Sequence, residues 1–201
     1  MFIKQMEGIA DVLIEKGISK SVDKAVVVYG LSVGVELICN IITTLCLGFL
    51  FGLILESVVF LISFSFIRTY VGGYHCQKAI NCYLMSNGIV GLILAIIKLM
   101  PNKEIIPVYI VLLIISIIII LKFAPVETIT KTLDEKEQRH YYKKTVLHLG
   151  IECGVISILF LLGAHSLAFI VCLGIMVSAG LVFFQICYSK IRMTGNGSYK
   201  V

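Results

Sequence analysis

The chain has 201 residues, of which 59% are hydrophobic and 14% charged; its mean hydropathy of +1.01 excludes an ordinary soluble domain. Runs near the ~20 apolar residues that a spanning helix needs predict one all-α integral membrane domain over residues 1–201, with no linker to divide it. The net charge of +5 needs no nucleic-acid partner, because its distribution suffices as a topology signal.

Residues 1–20 set Phe2, Met6, Ile9, Ala10, Leu13 and Ile14 against Lys4, Glu7, Asp11 and Glu15. This helical period predicts an amphipathic N-terminal helix, lying in the membrane interface or packed on the bundle. It lacks the unbroken apolar core of a cleaved signal peptide. About six spans follow. The first, near Ala25–Leu55, contains Gly30, Gly34, Gly48 and Gly52, small residues that let helices approach. It also holds Glu36 and Asn40 one turn apart, a structural hydrogen-bonding pair or a functional acid. The second, Ser57–Val71, is short, so a tilted or re-entrant segment is also compatible. The third runs from Ala79 to Met100, the fourth from Ile105 to Phe123, stopped by Pro125. A polar stretch lies within residues 122–145, expected as a cytoplasmic loop. The fifth span, Val146–Leu162, carries His148 and Glu152 one turn apart, and the sixth covers Leu167–Tyr188.

Between the second and third spans, Arg68, Gly72, Gly73, His75, Cys76, Asn81 and Cys82 interrupt the apolar sequence. Polar and titratable groups at membrane depth mark functional sites. On one continuous helix His75 and Cys82 would stand ~10.5 Å apart along the axis, too far for proton transfer. The Gly72-Gly73 pair permits the bend that would bring them together. The residues then suit a Cys/His nucleophilic site, with Cys82 in the first turns of a helix whose positive end favours a thiolate. The alternatives are an unrelated loop histidine and a packing cysteine, or a metal site. The metal reading has only three soft ligands, His75, Cys76 and Cys82, without a fourth at a usual zinc spacing. No metal or cofactor is implied.

Fifteen Lys and Arg residues fall on one predicted side of the membrane, and Lys98 and Lys103 on the other. The positive-inside rule then puts both termini, the 122–145 loop and the Cys/His site in the cytoplasm, where thiols stay reduced.

The arginine, glycine pair, histidine and cysteine at Arg68, Gly72, Gly73, His75 and Cys82 resemble the pattern of the AgrB (accessory gene regulator protein B) family. Phe123-Ala124-Pro125-Val126-Glu127-Thr128 resembles that family's second recognisable stretch, and the six-span layout agrees over nearly the whole chain. The resemblance implies a bacterial plasma-membrane cysteine endopeptidase of quorum sensing. Such a protein cuts the C-terminal part from an AgrD-like propeptide and, through a thioester, helps close a cyclic thiolactone or lactone signal. It implies Cys82 as nucleophile, His75 as general base, and a homodimer. Arg68 would brace the bend or bind a substrate carboxylate; Gly73 would admit substrate backbone. Glu36, Asn81 and Glu152 are candidates for a third catalytic group. A small transporter with Glu36, His148 and Glu152 as an ion relay is the competing expectation, although no inverted repeat accompanies it.

Overall fold

A computed structural model describes residues 2–15, 23–72, 79–99, 106–126 and 134–195. Seven α-helices account for the regular structure among them: α1 (Phe2–Glu15), α2 (Lys24–Phe51), α3 (Ile54–Val71), α4 (Ala79–Leu99), α5 (Ile106–Phe123), α6 (Glu135–Leu161) and α7 (His165–Gly195). Five of these, α2, α3, α4, α6 and α7, are long and apolar enough to cross a membrane. The 18 residues of α5 would extend ~27 Å, close to the hydrocarbon thickness. The protein is therefore an all-α membrane protein.

Local chemistry sets the helix ends. Asp23 caps α2 by accepting from Ala25 N. Gly52, with φ 71°, ends the helix in the left-handed conformation that glycine adopts without a Cβ penalty. The first span accordingly stops at Phe51, short of the expected Leu55, and α3 begins at Ile54. That gives the short second span 18 continuous helical residues. Asp134 and Glu137 form a capping box at the start of α6, so Glu135–Lys144 is helical and runs straight into the fifth span. The apolar pattern alone could not show this, because this part of the helix has no apolar stripe.

The centre of the bundle is α7, which packs on α3, α5 and α6. One core cluster joins Ile67 and Val71 of α3, Ile120 of α5, Leu149 of α6, and Ile175, Ala179 and Val182 of α7. A second joins Phe60 of α3, Val90, Ile93 and Leu94 of α4, and Ile170 and Leu173 of α7. Close approach of α3 and α7 depends on Gly174. A Cβ there would overlap Ser63 Oγ and lie 3.1 Å from Phe64 N. At the periphery, α1 packs on α2, with Ala10 fully buried and Asp11 ion-paired to Lys24. Of the two expectations for this helix, the contact with the bundle is the one observed.

Candidate active site

The C-terminal end of α3 is tied to the segment that follows α5. Val126 N–H donates to Val71 O at 3.0 Å, and Gly72 and Val126 form an isolated parallel bridge. Gly72 has φ 74°, and a Cβ there would sit 2.8 Å from Val126 O. Two requirements therefore select glycine at this position: a positive φ, and a neighbouring backbone closer than a side chain allows. The Ala124-Pro125-Val126 stretch, whose Ala124-Pro125 bond is cis, thus contacts the glycine hinge directly. Spacing in the sequence could not reveal this pairing, because 54 residues separate the two partners.

Arg68 is half-buried in the last turn of α3, and its Nη1 donates to Gly72 O at 2.9 Å. A guanidinium on this carbonyl satisfies an acceptor at the helix end, so a bracing contact is present. Arg68 also lies close enough to Cys82 to interact with it electrostatically. Cys82 is the fourth residue of α4 and half-buried. It thus sits among the unpaired amides of a helix start, with a guanidinium nearby. Asn81 beside it is exposed. Gly73, His75 and Cys76 lie outside the described residues.

Polar contacts between α2 and α4 set the depth of Cys82. Asn87 Nδ2 donates to Asn40 Oδ1 at 2.9 Å, the Thr43 and Tyr83 hydroxyls are 2.6 Å apart, and Lys98 Nζ donates to Phe51 O at 3.3 Å. Partners 40 to 47 residues apart, repeated along both helices, run them in the same direction. Cys82 then lies level with the part of α2 that includes Glu36 and Asn40. Glu36 is half-buried, and its backbone carbonyl accepts from Asn40 Nδ2 at 3.0 Å. Thr43, Tyr83 and Asn87 were not singled out as site residues from the sequence; polar side chains at helical spacing inside an apolar run were the available signal.

Glu152 occupies a different interface. It is buried where α6 meets α3, and Ser63 Oγ is 3.2 Å from its Oε2. His148, one turn away, packs its ring on Phe66 and Tyr70. Glu36 on α2 and the His148–Glu152 pair on α6 thus belong to separate helix contacts. No group of three or more His, Cys, Asp or Glu residues suited to a metal occurs among the described residues.

The family model for accessory gene regulator B matches residues 6–187. An AgrB-like protein of Clostridium perfringens (strain SM101 / Type A) is 28% identical over 185 residues, covering 87% of this chain and 83% of the relative. AgrB-like protein 2 of C. perfringens (strain 13 / Type A) is 30% identical over 131 residues, or 63% of this chain and 61% of the relative. No solved structure gives a significant match. The chain belongs to the AgrB family, and that membership supports a role in quorum-sensing peptide processing.

Proposed function

We propose that the protein is a membrane-embedded cysteine endopeptidase that cuts an AgrD-like propeptide and passes its acyl group to a ring-forming nucleophile. The observation that carries this reading is the position of Cys82: first turn of α4, half-buried, within electrostatic reach of Arg68. A cation and a helix N-terminus both stabilise a thiolate, the attacking form of cysteine.

In this mechanism the Cys82 thiolate attacks the scissile carbonyl, and the tetrahedral intermediate collapses to a thioester as the C-terminal piece leaves. His75 is assigned as the base that takes the thiol proton and returns it to the departing amine. The thioester keeps the acyl group activated. A thiol or hydroxyl within the bound peptide then displaces Cys82 and closes the thiolactone or lactone, provided water is excluded. Glu36 and Asn81 are assigned supporting roles, and Gly73 is assigned to admit substrate backbone. We also assign a homodimer, and a plasma-membrane topology with both termini, the 122–145 segment and the site facing the cytoplasm.

Co-expression with a candidate propeptide, followed by mass spectrometry, tests the chemistry. Cys82→Ala and His75→Ala should each abolish cleavage while the protein still accumulates in membranes; Cys76→Ala should cleave normally. A propeptide whose ring-forming Cys is replaced by Ala should leave a hydroxylamine-sensitive acyl adduct on Cys82. Full turnover of that substrate to a linear acid, with no adduct, would show a plain hydrolase. For topology, a membrane-impermeant thiol reagent applied to intact cells should label Asn102→Cys and spare Glu135→Cys, in a background cleared of other reactive thiols.

A further inference from the structure

We propose that Glu152 is a proton-binding site inside the membrane, held as a neutral carboxylic acid where α3, α6 and α7 meet. Ser63 Oγ lies 3.2 Å from Glu152 Oε2 and 3.3 Å from Val171 O, and a hydroxyl has one hydrogen to give. With Glu152 ionised, that single hydrogen would serve two acceptors. The other carboxylate oxygen, Oε1, is buried with no hydrogen-bond partner among the described residues and would carry charge with nothing donated to it, an expensive arrangement. With Oε2 protonated, Glu152 donates to Ser63 Oγ and Ser63 donates to Val171 O. Each bond then has its own hydrogen, and Oε1 becomes the carbonyl oxygen of an uncharged acid.

Among the described residues no cation is paired with this carboxyl. From α6 itself, the titratable neighbours are His148 one turn away and Cys153 adjacent in sequence. From α7, Cys172 is within electrostatic range. From α3, the facing groups are Ser63 and the Phe66 and Tyr70 rings that cover His148. Arg68 stands five positions beyond Ser63, with its Nη1 on Gly72 O.

Other polar groups share this face of α6. His148 Nδ1 is 2.7 Å from Lys144 O; a carbonyl only accepts, so Nδ1 carries hydrogen and Nε2 of the neutral ring holds a lone pair. Thr145 Oγ1, on that face, is buried without a partner. Tyr70, stacked on His148, also lines an open cleft with Lys136, Glu137, His140 and Tyr141. On ionisation, the proton leaves Glu152 for water. The Ser63 hydrogen then turns from Val171 O to the carboxylate. The α3–α7 hydrogen bond is lost and the α3–α6 bond reverses direction, at the point where Gly174 brings α3 and α7 together. The inference does not depend on the peptidase chemistry.

Infrared difference spectroscopy of the full chain in lipid nanodiscs, in D2O, tests it. At neutral pH the wild type should show a protonated-carboxyl C=O band that is lost in Glu152→Gln, whose amide can still donate to Ser63. Ser63→Ala should shift the same band to higher frequency by removing its hydrogen-bond partner, an independent reading should the first variant express poorly. His148→Gln should keep the band, since His148 makes no hydrogen bond to Glu152 among the described residues. Absence of the band in the wild type, or an unchanged band in Glu152→Gln, would overturn the site. Removal of the band by sodium at constant pH would make it a cation site and overturn the proton assignment.

Discussion

Helices α2 and α7 are both apolar enough to span a membrane, yet they occupy opposite environments. In the most apolar part of α7, 56% of residues are buried inside the protein; in α2 the figure is 0%. Val33, Leu37, Ile38, Phe49 and Leu50 of α2 are exposed, whereas Ile170, Cys172, Ile175 and Val182 of α7 are fully enclosed. Hydropathy cannot separate these cases, because lipid tails are as apolar as a protein core. In α7 the close approach falls in mid-helix, Gly174 against Ser63 with the Ser63 hydroxyl aimed at Val171 O. In α2 the comparable approach, Gly48 against Ser57, lies at the C-terminal end beside the turn into α3. The polar contacts of α2 with α4 tie together two helices that still keep large lipid-facing surfaces.

Substitutions can break this comparison. Gly174→Val should have the largest effect, about 3 kcal/mol of destabilisation at the upper end of overpacking costs, because Phe64 backbone as well as Ser63 blocks the added atoms. Reversible unfolding in mixed micelles would measure it; near-wild-type stability would mean that α3 and α7 separate easily. Gly72→Ala should follow at about 2 kcal/mol, combining the cost of a positive φ with the 2.8 Å approach to Val126 O. Its effect should also reach cleavage of a propeptide, since the hinge between Arg68 and Cys82 would move.

Asn87→Leu removes the donor to Asn40 Oδ1. An interhelical hydrogen bond in a membrane contributes about 0.6 kcal/mol on average, so this α2–α4 tie should register as a small shift in the same unfolding assay. Gly34→Ala should change stability least, by no more than about 0.5 kcal/mol, the scale of an ordinary surface substitution. Among the described residues, no atom outside its own helix lies within 4 Å of the added Cβ. A loss comparable with that of Gly174→Val would reveal that this face of α2 is packed against another molecule in the membrane.

The membrane class, the all-α fold and the approximate span positions were legible in residues 1–201, because a bilayer imposes a length and a polarity on any helix that crosses it. The AgrB relationship was legible in Arg68, Gly72, Gly73, His75 and Cys82, whose types and spacing are local. Tertiary structure alone decided the rest. It put Val126 against Gly72, linked Asn40 to Asn87, and set Ser63 between Glu152 and Val171. It also assigned Arg68 a bracing contact on Gly72 O while holding it near Cys82. Each relation joins atoms through side-chain direction and helix packing, and the apolar sequence between them carries no record of which helix its neighbour will be.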